Sequence, residues 1–561
     1  MAATDKRGGV PMADIVIKGG RVVDGTGAPG RFADVAITGD RVVAIGPDLT
    51  GDRVLDATGH VVAPGFIDIH THYDAQVFWD RALTPSCFHG VTTVVAGNCG
   101  FTIAPCRPGD RGLIARTLEK VEDMNVASLE AGIVWDFETF PEYLDTIRRR
   151  GVGLNFACYI GHTALRIYVM GEEASGRDAT DEEIDRMCAL VSDAMDAGAV
   201  GIATSTAPTH QGADGRPIPS RWASQSELER LLEVLAAKGK GIAALTLGSQ
   251  TMSLKAMYEL QRRIGRPFTY TALLTNPTGS HMYMCDLNAE EHASGALVWP
   301  QVTPRPLVFS ITMIEPFVLN VCKTFAELMP ETVEVRKERY ADSQWRAKAI
   351  ADLNSMRAQP RWETYLVSES TTHPSLVGRR VAEIAEQRGV HPLDLMCEIA
   401  LDDNLSTRFS AVLANDDEDG IRHLLTQDHL TLGLSDAGAH VGQLCDAPQA
   451  TDLLGGWVRD RGVLTIEQAV RKLSGQQADI FGLVDRGYLR EGAFADVVVF
   501  DPATVAPGPT RRVRDFPADA ERLTADAPVG VTHVLVNGTP IRVDGIQITN
   551  AVLPGRVVSP V

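Results

Sequence analysis

The run Val62-Ala63-Pro64-Gly65-Phe66-Ile67-Asp68-Ile69-His70-Thr71-His72 decides how this chain is read. Phe66, Ile67 and Ile69, introduced by Pro and Gly, have the apolar density of a buried strand, and two histidines follow at its C-terminal end. On a strand, residues two apart share a face with their Cα atoms about 6.6 Å apart, so both imidazoles can reach one ion. A helix would need the pair at i, i+4 instead. One histidine in such a place is ordinarily a hydrogen-bonded core residue; two at strand period point to a metal.

Composition sets the frame around that run. With 561 residues and 44% apolar content, the chain can fill several cores or one large barrel with appendages. Lys and Arg total 53 against 72 Asp and Glu, and the resulting formal charge of −19 argues against nucleic acid as a partner. Nine cysteines without CxxC spacing give no disulfide framework and fit a reducing cytoplasm. Met1 to Val10 is polar, and no apolar stretch approaches the about 18 residues of a membrane span, so a protein free of membranes is expected. Met12-Ala13-Asp14 directly precedes the first strand-like run, and the eleven residues before Met12 are read as an extension without a structural role.

Outward from the histidines, the chain start alternates as half-buried strands. Ile15-Val16-Ile17, a Gly19-Gly20 turn, Arg21-Val22-Val23-Asp24, then Asp34 to Ile37, a Gly39-Asp40 turn and Arg41 to Ile45 read as hairpins. The far end repeats the pattern in Ala495-Asp496-Val497-Val498-Val499-Phe500-Asp501 and in Val531 to Val536 before an Asn537-Gly538 turn. One small β domain is therefore expected from residues 12–62 plus 487–561. Between them, short apolar strands alternate with helical stretches, which is the pattern of repeated βα units and a parallel sheet. With the opening run, Thr92–Gly97, Gly153–Tyr159, Gly198–Thr204, Gly241–Leu247, Pro267–Leu274, Arg408–Ala414 and Leu430–Ser435 complete the eight strands of a closed barrel over residues 63–486. The Pro-rich, aromatic stretch at about 276–344 reads as an insertion over one face, either a lid or plain packing.

Two further strand ends carry chemistry. In Val94-Val95-Ala96-Gly97-Asn98-Cys99-Gly100, Cys99 is either an inert small hydrophobe or a thiolate ligand to the same metal. Gly433-Leu434-Ser435-Asp436-Ala437-Gly438-Ala439-His440 ends the last strand, and a barrel gathers such residues at its C-terminal face, where Asp436 converges on His70 and His72. His440 lines the site or starts the next helix.

Taken together these segments, with Gly161-His162, Leu165-Arg166 and Met170-Gly171, resemble the amidohydrolase superfamily, nearest to the D-aminoacylase branch of N-acyl-D-amino-acid deacylases. The resemblance implies an α/β fold, a (β/α)8 TIM-like barrel with a small β-sandwich built from both chain ends. It also implies a metal site of His70, His72, Cys99 and Asp436, with Asn98-Cys99-Gly100 separating this branch from relatives that bridge metals with a carboxylated lysine. Family members carry further metal histidines at the ends of strands five and six, the latter followed by a substrate-holding lysine. Here those strands read Ile242-Ala243-Ala244-Leu245-Thr246-Leu247 and Thr269-Tyr270-Thr271-Ala272-Leu273-Leu274-Thr275, with neither His nor Lys.

The polar loop Ser205 to Arg221 offers replacements. His210 is a candidate ligand or a surface residue; Arg221 and Arg216 pair with an anionic substrate group or with acidic side chains; His162 is placed to hydrogen-bond a substrate carbonyl. The expected activity is hydrolysis of an amide-type C–N bond in a small molecule. One zinc ion is expected, with a second left open, and Asp436 serves as general base. Four protein ligands close a tetrahedral site, so catalysis needs a fifth position or a weakly bound Asp436. A hydantoinase-like cyclic amide hydrolase and an inactive metal-binding barrel are the alternatives, and a homo-oligomer is left open.

Overall fold

The computed structural model describes residues 12–212, 215–248, 252–356, 359–548 and 553–561, so the extension expected before Met12 lies outside the described residues. Five strands come first: β1 (Ala13–Val22), β2 (Arg31–Thr38), β3 (Arg41–Gly46), β4 (Gly51–Asp56) and β5 (Val61–Pro64). Antiparallel pairing of β1 with β2 and of β2 with β3 buries Ile17, Val35, Ile37 and Val42 completely, as their period-two spacing requires. Gly19-Gly20 is a bulge within β1 and not the expected turn. The register slips between Ile17 and Gly20, Gly19 takes up the extra residue at φ 75°, and the strand continues to Val22.

Gly65 carries the chain from β5 into β6 (Phe66–Asp68), pressed so close to the next strand that a Cβ there would meet the Thr92 side chain at 2.2 Å. Parallel pairing then joins β6 to β7 (Val91–Ala96) and β7 to β8 (Asn155–Cys158). Past Tyr159 the chain enters β9 (Ile160–Gly161), which begins a second parallel arc through β10 (Gly201–Ser205), β11 (Ile242–Thr246), β12 (Phe268–Thr271) and β13 (Val298–Val302). These strands are buried almost throughout, as strands covered by helices must be.

An excursion follows: β14 (Leu307–Thr312), β15 (Leu366–Glu369) and β16 (Arg408–Ala414) form an antiparallel sheet with its own core around Phe309, Phe325, Tyr340, Val367 and Phe409. β17 (Thr431–Leu432) then returns to pair with β13, and an isolated parallel bridge links Thr71 to Ala437 between the ends of the two arcs. Two expectations are corrected here. Arg408–Ala414 is not one of the parallel strands: its alternation of buried and half-buried residues is that of an antiparallel strand with one covered face. The parallel strand in its place is β13, inside the stretch 276–344 set aside as an insertion; the excursion runs from Leu307 to Ala414. Trp299 and Pro300 disguised β13, yet Pro300 sits opposite Tyr270 in an unbroken register.

The C-terminal part adds β18 (Val497–Phe500), the hairpin of β19 (Arg511–Phe516) and β20 (Ala520–Thr524), then β21 (Val531–Val536), β22 (Thr539–Val543) and β23 (Ile546–Gln547). β18 pairs with β5, so both chain ends share one nine-stranded sheet ordered β23-β22-β21-β18-β5-β1-β2-β3, with β4 beside β1. Asp496 pins that sheet to the parallel strands: it is ion-paired to buried Arg486 and accepts from Asn155 Nδ2 at 3.0 Å and from the Asn537 amide at 2.8 Å. Among the described residues no helix is long and apolar enough to cross a membrane.

Candidate metal centre

The ends of three parallel strands meet at one point. Ile69 is fully buried, Asp68 Oδ1 accepts the His70 amide at 3.3 Å, and Asn98 Nδ2 donates to Ile69 O, Thr71 O and Val95 O at 2.9–3.3 Å, tying β6 to β7 just where the histidines leave the sheet. Cys99 adopts the left-handed region at φ 55°, flanked by Gly97 (φ 83°) and Gly100 (φ 77°). A Cβ on Gly97 would meet Tyr159 O at 2.8 Å, so the turn that aims Cys99 inward has no room for a side chain there. At the other end, Ser435 Oγ donates to His70 O at 2.8 Å and the His72 amide to Ala437 O at 2.8 Å. Asp436 (φ 43°) lies between these two ties, and a Cβ on Gly438 would strike His72 O at 2.8 Å.

The donor atoms converge as expected. Asp436 Oδ1 lies 3.0 Å from His70 Nε2 and 3.7 Å from His72 Nε2, and Cys99 Sγ lies 3.7 Å from His70 Nε2. Ligand atoms of His70, His72 and Cys99 all fall within 4.8 Å of one another, the one such group among the described residues. Burial works against a charged His70, but the Asp436 carboxylate outweighs it and raises its pKa to about 10. Burial likewise opposes charge on Cys99, yet the two histidines pull the thiol down to about 6. Asp436, despite burial, is held well below the usual carboxylate range by the same pair. A thiolate, a carboxylate and two imidazole Nε2 atoms enclosed together could hold a zinc-class cation in place of the protons otherwise shared among them.

Each imidazole has a polar side chain behind it. His70 Nδ1 takes Gln301 Oε1 at 2.7 Å, and Gln301 Nε2 in turn donates to Thr269 Oγ1 at 3.1 Å. His72 Nδ1 lies 3.2 Å from Glu122 Oε1, in the last turn of α1 (Arg111–Glu122), a charge contact that lacks the geometry of a hydrogen bond. Burial pushes Glu122 up to about 8 against the pull of His72. Sequence reasoning missed both partners. Their signal is a polar residue at a core position: Glu122 continues the buried Ile114–Leu118 stripe of α1, and Gln301 sits within the apolar run Val298–Val302. At the ends of β11 and β12, Thr246 Oγ1 donates to Cys99 Sγ at 3.2 Å and Thr271 Oγ1 lies 3.5 Å from His70 Nδ1.

The remaining candidates divide. His210 is not in the ligand group; its Nδ1 takes Ser205 Oγ at 2.7 Å, and burial beside His440 and His72 depresses it to about 3. His440 (φ 46°) packs its ring 5.2 Å from Phe309 and 5.9 Å from Phe317, both from the excursion, and burial lowers it to about 4. Arg221 Nη1 donates to Pro208 O and His210 O, bracing the loop, while Arg216 Nη1 donates to Ser175 O. The structure does not bring His162 to the cluster: fully buried, it spends Nδ1 on Thr204 Oγ1 and Nε2 on Glu227 Oε1, both at 2.8 Å, so neither ring nitrogen is left for a substrate carbonyl.

Comparison with known proteins gives this geometry its family. Residues 53–542 match the profile of the Amidohydrolase family. The chain is 32% identical to D-aminoacylase of Alcaligenes xylosoxydans xylosoxydans over 532 residues, 94% of each chain, and 31% identical to the N-acyl-D-glutamate deacylase of the same organism over 546 residues, 94% of this chain and 93% of that one. It also superposes with a TM-score of 0.66 on the N-acyl-D-glutamate deacylase of Bordetella bronchiseptica, solved with zinc and a phosphonate mimic of the tetrahedral intermediate, at 27% identity over 98% of this chain and 99% of that one. The chain therefore belongs to the amidohydrolase family and is a metal-dependent hydrolase of amide-type C–N bonds.

Proposed function

We infer that this enzyme deacylates N-acylated amino acids with a single zinc-class ion as cofactor, and that its two parallel arcs close as a (β/α)8 barrel beside a β domain of residues 12–62 and 487–561. The observation that carries the reading is the convergence of Asp436 Oδ1 with both histidine Nε2 atoms. Thr246 and Thr271, at the ends of β11 and β12, supply hydroxyls and no further imidazole, which supports one ion over two. Nine free thiols support a reducing, cytoplasmic setting.

His70, His72 and Cys99 would hold the ion, with Asp436 at its edge. Bound there, zinc acidifies water towards a pKa of about 7 and polarises the amide oxygen. Asp436 accepts the water's proton on its carboxylate and returns it to the leaving nitrogen. His210 is suited to the developing oxyanion. Ser205 Oγ accepts the Ala207 amide at 3.2 Å and gives its own proton to His210 Nδ1, which leaves Nε2–H as a donor on a ring that burial keeps neutral. His440, clamped by the two phenylalanines, lines the substrate's path.

The test is a panel of N-acyl-D- and N-acyl-L-amino acids beside hydantoins and dihydropyrimidines, run on zinc-loaded protein of measured metal content. Release of a free amine from the acyl substrates is expected. Turnover of the cyclic amides alone would overturn the substrate class, and failure to bind metal would overturn the centre. Asp436→Asn should retain zinc and lose about 10²–10⁴ in kcat.

A further inference from the structure

Beside the metal centre lies a cavity of 490 Å³ that takes no part in holding the ion. Its walls come from three places: the loop after β10, the helix α1 and the excursion between β14 and β16. Thr209 and Gln211, which line it, flank His210, and Phe317, which also lines it, packs its ring 5.9 Å from that of His440. Lys120, at its edge, stands two residues before Glu122 on α1. The space therefore lies where an amide held between His210 and His440 sends one of its two arms.

Phe317, Val318, Leu353, Met356 and Leu413 make one side of this cavity hydrocarbon, and Val321 extends it outward with 60% of its surface exposed. Among the described residues of the wall, only Lys120 and Arg361 carry charge, and both are already paired: Arg361 with Asp416 through two hydrogen bonds of 2.9 and 2.6 Å, Lys120 with Glu315 at 3.8 Å. A second cavity, of 770 Å³, meets the first at Lys120 and Phe317 and extends past Asp123 and Gly442. Ionic groups of both signs line it, Arg336 and Arg408 with Glu315 and Glu521 among them. An N-acyl amino acid is divided in the same way, with a hydrocarbon arm on the carbonyl and a carboxylate on the nitrogen side. Stripping water from that carboxylate against the apolar wall is costly, whereas a hydrocarbon chain gains by the same transfer.

We propose that the 490 Å³ cavity is the acyl subsite and that the preferred substrates carry a long, unbranched apolar acyl group on the amino acid. This rests on the deacylase reading above. Since about 150 Å³ of apolar cavity houses a benzene-sized guest, a chain of about eight to ten carbons fits, and an acetyl group leaves most of the space unfilled.

The experiment uses full-length, zinc-loaded protein and both enantiomers of one amino acid, N-acylated with straight chains from acetyl to dodecanoyl. With each methylene leaving water, kcat/KM should rise about threefold per added carbon over the first part of the series and level near decanoyl. A flat series, or one that peaks at acetyl, overturns the proposal and leaves the deacylase reading standing. A preference for long amino-acid side chains with acetyl as the acyl group overturns it equally. Hydrolysis of cyclic amides with no release from any acyl substrate overturns the deacylase reading, and the acyl subsite with it. Val318→Trp and Leu413→Trp, which fill the space, should each lower the ratio of decanoyl to acetyl kcat/KM by about tenfold or more. An unchanged ratio in folded variants overturns the proposal; should neither variant fold, the chain-length series of the parent decides.

Discussion

Gln301 Oε1 stands 2.7 Å from His70 Nδ1, so a residue in the middle of β13 fixes the orientation of a histidine 231 positions earlier. Its amide then reaches Thr269 on the adjacent β12, which ties the end of β6 by hydrogen bonds to the paired strands β12 and β13. Gln301→Leu, near in volume but without an acceptor, should weaken zinc binding about 10–100-fold while costing about 1–3 kcal/mol in stability, read by chelator competition and thermal melting.

Cys99 gives a sharper contrast. Cys99→Ser exchanges a soft thiolate for a hydroxyl, and its loss of zinc should exceed the about 10–100-fold of an outer partner. Thr246→Val removes only the donor 3.2 Å from the sulfur. Metal should be retained, and the sulfur-to-cobalt charge-transfer band of the Co(II) enzyme should move to lower energy as the thiolate becomes a better electron donor. An unmoved band would show that the hydroxyl does not act on the sulfur.

Beneath β9 and β10, Glu227 joins His162 to Arg166 in a group of side chains with no exposure at all. Arg166 also donates to Arg177 O at 2.7 Å, but Glu227 is its only ion-pair partner among the described residues. Glu227→Ala should therefore destabilise by about 3–5 kcal/mol, more than His162→Ala, in urea unfolding followed by circular dichroism.

Stability should also fall on mild acidification through His89, which is buried between Thr451 Oγ1 and Ala525 O and pushed down to about 4 by burial. The unfolded chain takes up the proton near pH 6.5, before the folded one does, so the stabilising contribution is complete above that pH and lost as pH falls towards 4. The difference corresponds to about 3 kcal/mol. His89→Asn should flatten the profile of melting temperature against pH over that interval.

How much of this could be read from the sequence depended on whether a residue advertised itself against its surroundings. His70, His72, Cys99 and Asp436 stand at the ends of apolar runs, and all four meet in the fold. Strands with uniform apolar content, such as Ile242–Thr246, were equally plain. Pro300 hid a buried strand because proline ordinarily ends one, and Arg408–Ala414 imitated one because alternation and continuous burial look alike over seven residues. Glu122 was illegible for a different reason: its partner lies 50 residues away, and only the fold decides whether a carboxylate on an apolar helix face is an error or a contact.

The place of β5 in the end sheet bears on how the protein is made. β5 has β1 on one side, with Val22 beside Val62, and β18 on the other, with Val61 beside Phe500; one residue later it becomes the strand that delivers the histidines. During synthesis, the left flank of that strand is available at once, whereas its right flank is still untranslated for more than four hundred codons. β5, and with it the entry into the histidine-bearing segment, has one edge open until β18 is made. A truncation that removes β18 should therefore damage metal uptake although every candidate ligand codon is intact.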